Sequence, residues 1–229
     1  MARRHPNRLI AALPPADRKR LLKAVAPLSM TGRQPLYEAG ERINFVYFPL
    51  SGVHSIGITL PHGRIVEIAT VGNEGMIGIP VFLGAWSTPG RTFCHVPGDL
   101  LRMRAADFRQ EVRRSNALRT IMLRYTQALI QQIAQHAACT RRHSIVERCA
   151  SWLLMTHARV GADEFALTQE SLAHMLGVRR ATVTTAAGTL QHAGLIRYTR
   201  GRITIVNHKK LERASCGCHS VLRQEYKSA

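Results

Sequence analysis

No run in this sequence approaches the roughly 20 apolar residues that cross a bilayer, and the segment from Met1 to Arg8 leads into no long apolar stretch. A membrane span and a secretory leader are therefore not expected, and the cytoplasm is the expected compartment. Acidic residues are scarce: 14 Asp and Glu stand against 32 Lys and Arg, a formal net charge of +18. That balance points to a polyanionic partner, because each phosphate neutralised by a cationic side chain releases condensed counterions. Cysteine is sparse and scattered. Cys94, Cys139, Cys149, Cys216 and Cys218 make an odd number, unlike the disulfide framework of a small secreted domain, so reduced thiols are expected. Neither an internal repeat nor a low-complexity tract is found.

What is present is 45% hydrophobic residues over 229 positions, enough to build the cores of two modest domains or one large one. Short helical patterns before and after Pro14 and Pro15 open the chain, with Asp17 suited to a helix start. From Gln34 to about Met103 the pattern becomes short apolar runs, among them Phe45 to Phe48, Val53 to Leu60, Ile65 to Ala69 and Thr92 to Val96. Glycine-containing turns separate them at Ala39-Gly40, Ser51-Gly52, Pro61 to Gly63, Gly72 to Gly75 and Pro97-Gly98. Turns recurring every 8 to 12 residues or so predict an all-β sandwich or barrel. Trp86, near Pro89 and Gly90, is a candidate pocket or core-covering residue.

Ala106 to Thr140 contains neither proline nor glycine and reads as helix. Leu118, Met122, Tyr125, Leu129, Gln132 and His136 recur at alternating four- and three-residue steps, an a/d-like stripe that supplies the candidate dimer seam. Ile121, Ile130, Ile133 and Ala134 give the same helix a second apolar face, so one side can pack on the β domain and the other on a second subunit. Ser144 and Glu147 have capping-box spacing and start a new helix that runs to Gly161.

Leu167 to Leu190 then reads as two short helices hinged at Gly177. In the first, Thr168 caps the free N–H groups and Leu172, Met175 and Leu176 supply the buried stripe. In the second, Val183, Ala186, Ala187 and Leu190 follow i, i+3, i+4, i+7 spacing and should face the core. The outward face is then Arg180, Ala181, Thr184, Thr185 and Gly188, short and polar enough for a major groove about 12 Å wide. Arg180, Ala181, Thr184 and Thr185 are the candidate base readers, since arginine can bond guanine O6 and N7 and threonine can touch a thymine methyl. Thr168, Gln169, Arg179, Thr182, Arg200 and Arg202 are candidate phosphate contacts. Ile196 to Val206 looks like two strands around an Arg200-Gly201 turn, which completes a winged helix-turn-helix.

A glycine-punctuated β domain, a long helix and a C-terminal winged helix-turn-helix together resemble the Crp/Fnr family of bacterial transcription regulators over nearly the whole chain. The motifs that carry the resemblance are Leu167 to Val183, Leu190 to Ile196, Pro35 to Ile43 and Val46 to Val53. The resemblance implies an α+β protein with an N-terminal double-stranded β-helix (jelly-roll) sensor at residues 1–105, a dimerisation helix and hinge at 106–142, and a winged helix-turn-helix at 143–229. It implies a homodimer on an inverted-repeat operator of double-stranded DNA, RNA polymerase as a further partner, and a small-molecule effector of unknown identity.

Cyclic-AMP-binding members present Gly-Glu-Leu and later Arg-Ser or Arg-Thr. This chain has Gly78-Ile79-Pro80 and Arg91-Thr92, so Gly78, Ile79, Arg91 and Thr92 mark a half-built effector pocket without the ribose-binding carboxylate, and an effector other than cyclic AMP, or none, is expected. In the recognition helix Arg180 matches the family's first arginine, while Ala181 and Thr185 replace the other two base readers. No cysteine precedes Cys94, which speaks against the iron-sulfur centre of the oxygen-sensing members.

Cys216, Cys218 and His219 group soft ligands but cannot alone complete a four-ligand zinc site, and His54, His62 and His95 lack metal-ligand spacing. Neither cofactor nor metal nor catalytic residue is expected. Two alternatives stay open: a cupin-type metalloenzyme with an appended basic domain, and a constitutive architectural or RNA-binding protein.

Overall fold

The computed structural model describes residues 5–32, 34–61 and 65–228, so Met1 to Arg4, and His62 and Gly63 of the turn expected from sequence, lie outside the described residues. Two short helices, α1 (Arg8–Ala12) and α2 (Pro15–Lys23), open the fold. Asn7 anchors them. Its Oδ1 caps α1 at Ile10 N, 3.2 Å away, and its Nδ2 donates to Pro49 O and Gly75 O at 3.0 and 2.9 Å, so a buried amide is satisfied on both sides.

Seven strands follow: β1 (Val25–Met30), β2 (Pro35–Tyr37), β3 (Phe45–Pro49), β4 (Val53–Thr59), β5 (Ile65–Val71), β6 (Gly90–Val96) and β7 (Gly98–Arg104), with the short helix α3 (Ile79–Phe82) between β5 and β6. They form two antiparallel sheets of order β1-β7-β3 and β2-β6-β4-β5. Burial alternates residue by residue along β6 as one face meets the interior. The strand β1 begins before the expected β region. Its Pro27 and Ser29 and its mostly exposed face hide the strand signal, yet it pairs in full register with β7. Trp86 covers core, with the guanidinium groups of Arg42 and Arg109 stacked 4.8 and 5.0 Å from its ring.

The expected single helix from Ala106 is two, α4 (Ala105–Arg114) and α5 (Asn116–Arg142). Ser115 breaks the run by capping α5, accepting from Leu118 N at 3.0 Å while donating to Asp17 Oδ2 at 2.7 Å.

The stripe assigned to the dimer seam requires correction. Leu118, Met122, Tyr125, Leu129 and Gln132 are all buried in the chain's own core, and His136 is half-buried beside a cavity. Tyr125 packs into the space that Gly75 leaves, where an added Cβ would meet the ring at 2.6 Å, and donates to Met76 O at 2.9 Å. Gln132 Nε2 donates to Thr70 O at 3.1 Å. The stripe is the seat of α5 on the β-roll. The large apolar side chains that α5 leaves exposed are Leu123, Ile130 and Ile133.

The second half contains α6 (Ile145–Val160), β8 (Glu164–Ala166), α7 (Gln169–Leu176), α8 (Arg180–His192), β9 (Ile196–Thr199), β10 (Arg202–Ile205), α9 (His208–Ala214) and α10 (Cys218–Ser228). The capping box at α6 is present in both directions, Ser144 accepting from Glu147 N and Glu147 Oε2 from Ser144 N. A second core, including Cys149, Leu153, Leu172, Val183, Leu190 and Ile203, holds these elements. The last helix does not belong to it. It turns back onto α5, where Tyr226 donates to Gln132 Oε1 and its ring lies 6.3 Å from that of Tyr125.

Candidate nucleic-acid interface

Local chemistry fixes the two helices of the reader. Thr168 Oγ1 accepts from Ser171 N at 3.1 Å and starts α7, and Leu172, Met175 and Leu176 bury its inner face. Gly177 ends it with φ +68°, a left-handed conformation that suits glycine, and Val178 N returns to Ala173 O at 3.1 Å. Arg179 is the N-cap of α8, and no side chain caps the first turn of that helix. Its leading N–H groups and the positive end of its dipole therefore accompany Arg179 and Arg180, an arrangement that favours a phosphate.

The predicted faces of α8 are those observed. Val183, Ala186, Ala187 and Leu190 are buried, while Arg180, Ala181, Thr182, Thr184, Thr185 and Gly188 are exposed. Thr185 Oγ1 donates to Ala181 O at 3.2 Å, and Thr184 Oγ1 lies 3.1 Å from Arg180 O and 2.9 Å from Gln169 Oε1. Both hydroxyls are thus turned onto the protein, leaving the methyls as the groups suited to a thymine methyl. Gln169 is half-buried, and its carbonyl oxygen meets Thr184. A Cβ at Gly188 would meet nothing within 4 Å, so no contact inside the chain requires glycine there.

The wing is a three-stranded sheet of order β8-β10-β9. Thr199 faces Arg202 across a two-residue turn in which Arg200 and Gly201 have φ of +47° and +77°, the left-handed pair of a type I′ hairpin. Arg200 is a non-glycine residue held at positive φ at the wing tip, a strained conformation that sites of interaction often carry. Arg202 is exposed and ion-paired on the wing. Its Nε lies 2.6 Å from Glu164 Oε1 across the strand pair, so the guanidinium is engaged within the wing.

The effector-pocket residues do not converge. Gly78 caps α3 with φ +100° ahead of the half-buried Ile79. Arg91 lies 2.8 Å from Glu38 Oε1 and stacks over Phe93, whereas Thr92 is fully buried on the opposite face of β6. The period of two along β6 points these two side chains to opposite faces of the strand. Neither lines the cavity at the junction of the two halves or the smaller one beside His136.

The larger cavity, about 280 Å³, lies instead between α6, α9, α10 and the β-roll, with Arg8, Glu74, Arg159, His208 and Tyr226 on its walls. Sequence reasoning missed this junction because its partners are distant in the chain. Arg159 Nη2 and Nε reach Glu74 Oε1 at 2.8 and 3.1 Å, and Arg159 also donates to Thr70. Burial pushes the Glu74 carboxyl up, but the Arg159 charge together with hydrogen bonds from the Gly72 and Glu74 backbone and from Arg159 outweighs it and holds the group below its ordinary value.

His95 packs edge-on to Trp152 at 5.6 Å, and burial lowers buried His54 to about 4. Among the described residues one group of side chains has metal-ligand proximity: Cys139, His143, Cys216 and Cys218. His219 is not part of it. Its Nδ1 lies 3.4 Å from Ser215 Oγ. The missing signal was the Cys139-x3-His143 spacing, one helical turn on α5.

Residues 147–214 match the Crp-like helix-turn-helix domain model. No curated relative matches the sequence. Among solved structures, FixK2 from Bradyrhizobium japonicum is similar at 17% identity and a TM-score of 0.72, over 84% of this chain and 98% of that one. A CRP/FNR-family transcriptional regulator from Thermus thermophilus shares 18% identity with a TM-score of 0.67, over 83% and 98% of the two chains. The c-di-GMP-responsive global regulator CLP of Xanthomonas campestris shares 14% identity with a TM-score of 0.67, over 83% and 98%. The chain thus carries a Crp-like helix-turn-helix domain at residues 147–214 and shares the fold of these regulators over most of its length.

Proposed function

We propose that the chain acts as a homodimer in the cytoplasm and reads an inverted-repeat operator in double-stranded DNA, regulating transcription through contact with RNA polymerase. The observation that carries this reading is the two-faced helix α8: Val183, Ala186, Ala187 and Leu190 fasten it to the core while Arg180, Ala181, Thr184 and Thr185 stand exposed beside an uncapped helix start. Arg180 reads a base, and Arg179, Thr182 and Arg200 hold phosphates. The net charge of +18 supplies the sequence-independent part of the affinity. Leu123, Ile130 and Ile133 on α5 form the face that meets the second copy.

An effector, if one acts, enters the polar cavity around Arg159 and Glu74 rather than the Arg91 region, because Arg91 is ion-paired and Thr92 faces away from it. The protein is read as a regulator without catalysis. The cupin-type alternative has no support among the described residues, whose one metal-capable group lies outside the β-roll.

Selection of bound DNA from a random pool tests the proposal. The expected product is a two-fold symmetric site whose half-sites lie about one helical turn apart. Recovery of unrelated sequences with uniform affinity would instead favour the architectural reading.

A further inference from the structure

Cys139 and His143 stand one turn apart at the C-terminal end of α5, His143 as its C-cap. Cys216 and Cys218 flank Gly217, whose φ of +72° bends the loop that leads into α10. The ligand atoms of these four residues all lie within 4.8 Å of one another. Cys139 Sγ is 3.5 Å from Cys216 Sγ, and Cys218 Sγ is 3.7 Å from His143 Nδ1. A tetrahedral zinc ion with Zn–S of about 2.3 Å and Zn–N of about 2.0 Å separates two sulfurs by about 3.8 Å and a sulfur from a nitrogen by about 3.5 Å. The spacing is that of a ligand shell.

We propose that Cys139, His143, Cys216 and Cys218 form a Cys3His zinc site that clamps α10 to the end of the long helix. Three sulfurs and one imidazole nitrogen, with no carboxylate among them, suit a borderline-soft tetrahedral cation and not magnesium or calcium. Four protein ligands close the shell, so the site is structural and keeps no position for a substrate. Binding exchanges the three thiol protons for Zn²⁺ and releases them to solvent, leaving the imidazole neutral with Nδ1 as its donor atom.

The surroundings fit the charge that results. Three thiolates around a divalent cation carry one excess negative charge, and the half-buried Arg148 guanidinium interacts electrostatically with both Cys139 and Cys216. Ser151 Oγ lies 2.9 Å from Cys216 Sγ and Gln135 Nε2 lies 3.1 Å from Cys218 Sγ, placed to donate to thiolate sulfurs and orient them. Arg148 also donates to Leu176 O at the end of α7, 2.7 Å away, which sets the clamp one side chain from the hinge of the helix-turn-helix. Cys94 and Cys149 are buried elsewhere and take no part.

The test uses the full chain, stripped of metal, held reduced by a phosphine and titrated with Co²⁺ and then Zn²⁺. The expected result is saturation at one cobalt per chain with the thiolate charge-transfer absorption and strong ligand-field bands of a tetrahedral centre, bleached by one equivalent of zinc. Replacing Cys139→Ser and Cys216→Ser together should abolish those bands, and Cys149→Ala should leave them. A wild-type spectrum without thiolate charge transfer, or one that survives the double replacement, overturns the proposal.

Hydrogen exchange on the wild-type chain gives a second readout that needs no variant. Zinc should slow exchange in residues 216–228, and unchanged exchange there would equally overturn the clamp. Both measurements are independent of DNA, so their failure would leave the proposed operator reading standing.

Discussion

Arg159 on α6 and Glu74 on the β-roll meet across the junction of the two halves, with Nη2 and Nε of the guanidinium converging on one carboxylate oxygen at 2.8 and 3.1 Å. Both side chains are under a tenth exposed. The charge pair is thus a joint between the winged domain and the domain expected to sense a signal, and anything that alters it changes how the reader is held.

Arg159→Met leaves Glu74 buried without its counter-charge. A loss of about 3 to 5 kcal/mol is expected in urea unfolding, the range for removing one partner of a buried pair. The wild-type pair also carries an acid dependence. Because the Glu74 carboxyl is held below its ordinary value, its contribution is present above the ordinary carboxylate range and disappears as pH falls through the folded value. The variant should lack that component of acid sensitivity.

Glu67 behaves oppositely. It is buried on β5, and burial raises its carboxyl to about 8, the hydrogen bonds from Ser55 and Trp152 offsetting only part of the effect. The folded protein therefore keeps the proton at neutral pH. That contribution is complete below the ordinary carboxylate value and is lost as pH rises through about 8. Glu67→Gln preserves a neutral hydrogen-bonding group, so its stability should stay flatter with pH and exceed wild type by at least about 1 kcal/mol near pH 9. Thermal unfolding of both proteins across this range checks the sign.

The two faces of α5 separate folding from association. Ile130→Glu, at an exposed position, should change folding stability by no more than about 0.5 kcal/mol while shifting sedimentation toward a monomer. Leu129→Ala, at a buried one, should cost about 2 to 5 kcal/mol with self-association intact in the folded fraction. Equal sedimentation of Ile130→Glu and wild type would count against the proposed dimer face.

Two arginines close in sequence should differ at DNA. Arg180→Ala should lose about 1 to 3 kcal/mol of discrimination at one base pair of the selected site. Arg202→Ala should alter binding little beyond the net-charge effect, since Glu164 already engages that guanidinium. Mobility shifts on matched and singly mismatched duplexes distinguish the two.

The elements that were legible from sequence are those whose signal is local. Val183, Ala186, Ala187 and Leu190 lie four residues or fewer from their neighbours in the pattern, and a capping box needs only Ser144 and Glu147. The stripe from Leu118 to Gln132 was equally visible as a face, but periodicity says that a face is buried, not what buries it. Its true partner is Met76, Thr70 and the rest of the β-roll, brought close by tertiary packing. The same limit hid the Arg202 and Glu164 pair and the Arg91 and Glu38 pair. It also hid the union of Cys139 and His143 with Cys216 and Cys218, whose halves stand 77 positions apart between Cys139 and Cys216.

Since the chain's own β-roll already fills one side of α5, the large apolar side chains left for a companion in the proposed dimer are Leu123, Ile130 and Ile133. Those three side chains can be rewritten with the buried stripe of the helix left untouched. On the proposed dimer, an engineer seeking an orthogonal pair would therefore alter this narrow strip.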